Sequence, residues 1–138
     1  MKICYFGAPT SIQRNNILKN GLEENGAEVF EIIPPNKHIF KPLSKIETFL
    51  RLFSQAMKKD FDIMLVGFGG HKYVFLGKLI CILKRKPLVF DVFISLYDTD
   101  VFDRKLVKKS SLKSKYLWSM DKYTCKVSDL VLLDTMPI

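Results

Sequence analysis

Short apolar runs alternate along the chain with longer segments in which apolar residues recur three or four positions apart. The short runs are rich in Val, Ile and Phe and are bounded by Gly, Pro or Asp, which is typical of β-strands. The longer segments have the spacing of helices that bury one face. This pattern predicts strands at 2–6, 27–33, 62–66, 87–90 and 130–133. It predicts helices at about 11–25, 43–59, 72–84 and 114–127, and an irregular segment at 91–104.

Strict alternation of strands and helices favours a parallel sheet with helices on both of its faces. The strands are almost continuously apolar, as expected when both faces of a parallel sheet are covered. We therefore predict an α/β fold, a single Rossmann-like domain over 1–138, with strand order 3-2-1-4-5 and the first strand central. The chain ends at Ile138 shortly after its last strand, so we expect a covering helix to be missing or to lie on another chain.

The chain is basic, with 22 Lys and Arg against 14 Asp and Glu and a formal net charge of +8. The basic residues concentrate in 36–60, 71–90 and 104–126. They are interleaved there with apolar residues, so they form either a face for an anionic membrane or ordinary solvated helix faces. The apolar residues concerned are Phe40, Leu50, Phe53, Phe75 and Trp118.

No nucleic-acid-binding motif accompanies this charge, so nucleic acid is not an expected partner. No apolar run reaches the 18 or so residues of a membrane span, and no secretory signal is visible. The three cysteines are widely separated and lack disulfide or zinc spacing. These features predict a cytoplasmic protein, with peripheral membrane contact as its only membrane association.

Ligands of doubly wound sheets bind beyond the carboxyl ends of the strands, so the segments after the first, third and fourth strands should share one cleft. Gly67–His71 has three glycines in that position, and it is either a backbone cradle for a phosphate or sugar, or a tight turn. It lacks the spacing of known nucleotide-binding loops. His71 stands at a predicted helix start inside the cleft.

The segment 91–103 carries four acids and no base, although the chain as a whole is basic. Aromatic residues interleave with these acids, a combination that suits carbohydrate, because carboxylates accept hydroxyl hydrogens and rings stack on sugar C–H faces. A metal site is a rival interpretation that no His supports, and helix capping with loop solvation is another. The acids are Asp91, Asp98, Asp100 and Asp103, and the aromatics are Phe93, Tyr97 and Phe102.

Five stretches in order resemble the N-terminal domain of family-4-type glycosyltransferases with the GT-B fold. They are KICYFGAP, RNNILKNGLEENGAEVFEI, DFDIMLVGFGGH, PLVFDVFISLYDTDVFDRK and KVSDLVLLDT. The resemblance implies an acceptor-binding domain whose C-terminal partner domain, absent here, binds the nucleotide-sugar donor. It also implies metal-independent, retaining transfer to a lipid-linked or polysaccharide acceptor, without a cofactor.

Two departures from that family bear on the site. Ala8-Pro9 replaces a Gly-Gly pair, and Asp91 stands where many relatives have His, so Asp91 becomes the expected catalytic residue. We expect the isolated chain to be inactive. The alternative is a non-catalytic binding or membrane-anchoring subunit of a split glycosyltransferase, and a flavodoxin-like fold is a weaker one. The expected acceptor-binding residues are Gly7, Ala8, Pro9, Gly67, Phe68, Gly70, His71, Phe93, Ser95, Asp98 and Asp100.

Overall fold

The structure, a computed structural model, describes residues 1–35 and 42–133. Five strands alternate with helices, as the periodicity predicts. A 3-10 turn at His71–Tyr73 leads into the third helix, and a π-helical turn at Thr99–Asp103 follows the fourth. The strands are β1 (Lys2–Phe6), β2 (Glu28–Ile32), β3 (Ile63–Val66), β4 (Leu88–Phe93) and β5 (Leu130–Leu133), and the helices are α1 (Gln13–Glu24), α2 (Pro42–Lys58), α3 (Val74–Lys84), α4 (Leu96–Asp98) and α5 (Leu112–Val127).

All five strands are parallel, which confirms the predicted α/β fold with a Rossmann-like sheet. The predicted strand order 3-2-1-4-5 is wrong, because the sheet runs β2-β1-β3-β4-β5. Strand β1 pairs with β2 on one side, where Ile3 lies opposite Val29, and with β3 on the other, where Ile3 lies opposite Ile63. This is the second common order of doubly wound sheets.

The reason for this order is that α1 and α2 cover opposite faces of the sheet. Helix α1 packs through Leu18 on the face that carries Tyr5, whereas α2 packs through Leu52 on the face that carries Phe6. Crossovers between parallel strands are right-handed, so a change of face reverses the direction in which the chain crosses the sheet. The chain therefore turns back after β2 and adds β3 on the far side of β1.

The two faces are covered unequally. Helices α2, α3 and α5 form a layer over the larger core, whereas α1 is the only one of the described helices that packs on the other face. Within the part of the chain that the structure describes, no helix is both long and apolar enough to span a membrane. The buried residues of the larger core are Cys4, Phe6, Ile32, Leu52, Ala56, Phe61, Met64, Val66, Tyr73, Val74, Ile80, Cys81, Leu88, Phe90 and Val92.

The segment predicted to be irregular from 91 to 104 is largely regular. Strand β4 continues to Phe93, so Asp91 lies within the strand, opposite Leu132 of β5, and not in the loop that follows it. Val92 continues the buried side of β4, which explains why pairing persists past Phe90. Residues 96–103 are helical. Helix α1 begins after Ile12, which makes no side-chain capping bond, and not at Ser11.

We predict that Gly67→Ala lowers the free energy of unfolding by about 1–3 kcal/mol, as overpacking does. A methyl group at Gly67 would lie 2.6 Å from Cε1 of Tyr5, a fully buried side chain. The matched control is Gly21→Ala in α1, where an added methyl group has no neighbour within 4 Å. That change should stabilise the helix by about 0.5–1 kcal/mol. Urea unfolding of both variants tests the pair, and equal stabilities would contradict the close contact.

Candidate functional site

The loops that follow β1 and β3 are joined by one side chain, the fully buried amide of Asn15. Its Nδ2 donates to the carbonyls of Pro9 and Phe68, each at 3.0 Å. Its Oδ1 accepts from the backbone N–H of Phe68 at 2.9 Å. Doubly wound sheets usually bind ligands between these loops, where the chain reverses direction. Here Asn15 ties the two loops together, so the side chains that a ligand could contact lie beside Asn15, toward β4.

Next to Asn15, Arg14 forms a two-point ion pair with Asp91 of β4. Nε of Arg14 donates to Oδ2 of Asp91 and Nη2 donates to Oδ1, both at 2.8 Å. The Asp91 side chain is completely buried, whereas 26% of the Arg14 side chain is exposed. A bidentate pair of this kind is among the stronger charge-assisted interactions in proteins. The first turn of α1 is thereby fixed over the carboxyl end of β4.

Beyond Asp91, the backbone of Phe93 adopts a strained conformation. Its φ is +59°, and the N–H of Ile94 donates to the carbonyl of Val92 at 2.7 Å, which closes a γ-turn around Phe93. A bulky residue rarely adopts a positive φ. The register with β5 also shifts between Asp91 and Phe93. Strained backbone of this kind concentrates at functional sites, where the surrounding structure holds it in place.

The ring of Phe93 is held from two sides. The guanidinium carbon of Arg14 lies 4.3 Å from its centroid, a cation–π contact. The ring of Phe68 meets it edge-on, with the centroids 5.1 Å apart. A helix, a strand and a loop thus supply one cluster: Arg14 of α1 contacts Asp91 and Phe93 of β4, and Phe93 contacts Phe68 in the loop after β3.

Six of the expected acceptor-binding residues retain exposed surface and five are buried. The buried residues lie beneath the loops, where glycines allow close packing; at Gly7, for example, an added Cβ would lie 2.7 Å from Cβ of Tyr73. The N–H groups of Phe68 and Gly70 are bonded within the protein, to Asn15 and to the carbonyl of Gly67. The residues with exposed surface are Pro9, Phe68, Phe93, Ser95, Asp98 and Asp100, and the buried ones are Gly7, Ala8, Gly67, Gly70 and His71.

Asp121 of α5, which the sequence analysis did not single out, organises the segment after β4. Its carboxylate accepts from Oγ of Ser95 at 2.7 Å and from the N–H groups of Leu96 and Tyr97 at 3.2 and 2.8 Å. Oγ of Ser95 also accepts from the N–H of Asp98 at 3.0 Å, so Ser95 caps α4. Ser95 and Asp98 are thereby placed on a short helix that is tied to α5.

The sequence positions of Asp121 and Asn15 within their helices indicate that both are packed against the protein. Asp121 falls four positions after the buried Leu117 and three before the buried Thr124, on the side of α5 that faces the protein. Asn15 similarly precedes Leu18 by three positions on the packed side of α1. A polar residue on the buried stripe of a helix needs hydrogen-bond partners, so its position there predicts a structural or functional contact.

Two buried polar atoms lack a hydrogen-bond partner among the described residues: the Tyr5 hydroxyl and Nε2 of His71. Nε2 of His71 lies 3.7 Å from Oδ1 of Asp121, and the imidazole packs edge-on against Phe90. Burial lowers the pKa of His71 below its usual 6.5, and the charge of Asp121 opposes that change only in part. Burial likewise raises the pKa of Tyr5, and the negative charge of Asp91 adds to this effect.

No protein-family model matches the chain, and no curated protein matches it either. Among solved structures, the chain is similar to Anabaena HepE in complex with UDP and glucose, with 13% sequence identity and a TM-score of 0.39. The similarity covers 96% of this chain and 43% of the HepE chain, so the chain spans less than half of that protein's length. The similarity is too low to assign a family, and the α/β fold stands on the sheet itself.

We predict that Arg14→Gln lowers the free energy of unfolding by about 3–5 kcal/mol, because it leaves the Asp91 carboxylate buried without its cationic partner. Asp91→Asn should cost less, about 1–3 kcal/mol, because the guanidinium it leaves behind reaches solvent. The control is Lys19→Gln, which breaks the partly exposed pair of Lys19 with Glu31 and should cost about 1 kcal/mol or less. Denaturant unfolding measures all three, and a larger loss for Asp91→Asn than for Arg14→Gln would contradict this account.

A second prediction concerns pH. Since the pKa of His71 is lower in the folded protein than the 6.5 of the unfolded chain, protonation favours unfolding. The stabilisation by neutral His71 is therefore complete above about pH 6.5 and is lost as the pH falls below it. The wild type should lose more stability than His71→Gln between about pH 7 and pH 5, as measured by chemical unfolding. Parallel pH profiles would show that the Asp121 charge offsets the effect of burial, and a wild type that gains stability relative to His71→Gln on acidification would show that this charge dominates.

Proposed function

We propose that the chain is the acceptor-binding domain of a GT-B-type glycosyltransferase. The observation that carries this proposal is the strained Phe93, clamped between Arg14 and Phe68 at the carboxyl end of the parallel sheet. Aromatic rings provide stacking surfaces for the C–H faces of sugars, and charged groups beside them bind hydroxyls. The fold adds support, because ligands of such sheets bind at this edge.

Within this proposal, Asp91 acts through Arg14. Both carboxylate oxygens of Asp91 accept from the guanidinium, and the side chain has no exposed surface. Asp91 is then a positioning residue that holds Arg14 and, through it, the Phe93 ring. The direct catalytic contact expected from the sequence would require this ion pair to separate when the two domains of the enzyme close.

The other residues expected to bind the acceptor fall into an exposed group and a buried group. Residues with surface at the sheet edge would contact the acceptor, and those beneath the loops, including His71, would shape them. The donor nucleotide-sugar would bind a second domain, and transfer would be retaining and metal-independent, to a lipid-linked or polysaccharide acceptor. The proposed contacts are Pro9, Phe68, Phe93, Ser95, Asp98 and Asp100, and the proposed supporting residues are Gly7, Ala8, Gly67, Gly70 and His71.

One observation favours a second candidate function, that of a non-catalytic subunit that anchors a catalytic partner at a membrane. Large apolar side chains are exposed along α3 and α5, among them Ile82 and Trp118. Exposed apolar surface of this kind commonly marks an interaction site. Both candidates retain the sugar-binding edge, and they differ in whether the chain itself contributes to the chemical step.

We predict that maltose, a sugar without an apolar tail, shifts amide NMR signals in 67–71 and 93–98 and leaves the signals of α3 unchanged. Phe93→Leu should weaken this binding several-fold, because leucine lacks the flat ring on which a sugar C–H face stacks. The matched control is Tyr116→Leu, which removes an exposed ring from α5. UDP-glucose should shift no signals at micromolar concentrations, because its proposed site is on another domain.

The outcome can contradict the proposal in two ways. Maltose shifts that are scattered over the surface, or equal losses in Phe93→Leu and Tyr116→Leu, would remove the acceptor site from this edge. Micromolar binding of UDP-glucose would place a donor site on this chain. The melting temperature of each variant, measured in parallel, separates lost binding from lost folding.

A further inference from the structure

The outer side of α3 is apolar along its whole length. Its outward residues follow each other at i, i+4, i+7 and i+8, directly opposite the buried side of the helix. A helix that is apolar on all sides is normally covered on all sides. We call this surface the α3 stripe; it consists of Phe75, Leu79, Ile82 and Leu83, whose exposed fractions are 45%, 49%, 61% and 55%.

Neighbouring helices extend the apolar surface. Helix α3 contacts both α2 and α5 within one layer over the larger core. Nζ of Lys84 donates to the carbonyls of Ala56 and Met57, which fixes the end of α3 against the end of α2. Helix α2 adds exposed Ile46, Leu50 and Met57 to the same layer. Single exposed apolar residues are normal on a protein surface, whereas a row of four on one side of a helix, with more on the helix packed beside it, indicates a partner.

The surroundings of the α3 stripe are mostly basic, although Lys78 of α3 is paired with Asp129, whose Oδ1 lies 2.9 Å from its Nζ. Residues 71–90 contain five Lys or Arg and no acid, among them the exposed Lys72 and Arg85 at the two ends of α3. Helix α5 of the same layer exposes Lys115, Lys122 and Lys126, and Nζ of Lys122 lies 4.8 Å from the Trp118 ring. Apolar side chains bordered by lysines and aromatic residues are typical of helices that lie in a membrane interface.

We propose that the α3 stripe docks on an anionic lipid bilayer, with α3 lying in the plane of the interface. The basic border argues against a second copy of the chain as the occupant, because two such faces would repel each other. An anionic bilayer matches both the apolar stripe and its basic border, since its acyl region takes up the apolar side chains and its headgroups attract the lysines. The inference deepens the second candidate function by naming its contact surface, and it is independent of sugar binding.

The proposal also changes which apolar residues of the basic segments take part. Phe53, expected from the sequence to join a membrane face, packs against the larger core and is only partly exposed. Phe40 lies outside the described residues. Phe75, Leu50 and Trp118 are exposed as that expectation requires. Leu79, Ile82 and Leu83 of the α3 stripe were not part of that expectation, and they are exposed as well.

A matched pair of substitutions tests the proposal. Ile82 of the α3 stripe and Ile17 of α1 are exposed to 61% and 62%, and they belong to helices on opposite faces of the sheet. The wild type should co-sediment with vesicles of phosphatidylcholine and phosphatidylglycerol, and not with phosphatidylcholine alone. Ile82→Gln should weaken this binding about three- to tenfold, whereas Ile17→Gln should leave it unchanged. The single tryptophan, Trp118, gives a second readout through a blue shift of its emission.

Several outcomes would overturn the proposal. They are an absence of binding to anionic vesicles at low salt, equal binding to neutral vesicles, or equal losses in Ile82→Gln and Ile17→Gln. A lipid-free dimer that Ile82→Gln dissociates in sedimentation velocity would assign the α3 stripe to self-association instead. Unchanged maltose shifts in Ile82→Gln would show that the sugar-binding edge is intact, so failure of this inference is distinguishable from failure of the proposed function.

Discussion

A carboxylate buried in the middle of a parallel sheet has to be paired, and this requirement organises the carboxyl edge of the sheet. Asp91 sits within β4 without exposed surface, and Arg14 reaches it from α1 across β1 and β3. The cost of burying such a charge is offset only by good geometry with its partner. The bidentate pair therefore fixes where the first turn of α1 lies, and the neighbouring Asn15 can then join the two loops on either side. The Phe93 ring is held by the same guanidinium.

The type and order of the elements follow from periodicity, because strand and helix patterns differ in their spacing of apolar residues. The strand order does not, since a strand that is apolar on both sides carries no information about which face each helix covers. The assignment of α1 and α2 to opposite faces decides the position of β3, and it depends on contacts between distant segments. The extension of β4 to Phe93 is not predictable for a related reason. An Asp after an apolar run is typical of a strand end, and the partner that allows Asp91 to be buried, Arg14, is 77 residues away in the sequence.

The sequence predicts which segments meet at one edge of the sheet better than it predicts which of their residues are exposed there. The loops after β1, β3 and β4 do meet at one edge, and Phe68 and Phe93 are in contact there. The chemical types of Gly7, Gly67, Gly70 and His71 predict ligand contacts, but the structure places all four under the surface, where the glycines allow close packing. Arg14, Asn15 and Asp121 act through long-range partners, and only their positions on the packed sides of helices hint at this. Strain at Phe93 depends on backbone conformation, which side-chain type alone does not reveal.

The two proposed surfaces are connected through α3. The loop that carries Phe68 continues through the 3-10 turn at His71–Tyr73 directly into the helix whose outer side is the α3 stripe. Phe75 is therefore only seven residues from Phe68, and the N-terminal end of α3 lies at the carboxyl edge of the sheet, as helices of parallel sheets do. A bilayer in contact with α3 would then adjoin the edge proposed to bind sugar, and an acceptor attached to lipid would reach that edge without leaving the membrane. The buried contacts of His71 with Phe90 and Asp121 tie this turn to β4 and α5, so the geometry between the two surfaces is fixed by the core and not by a flexible loop.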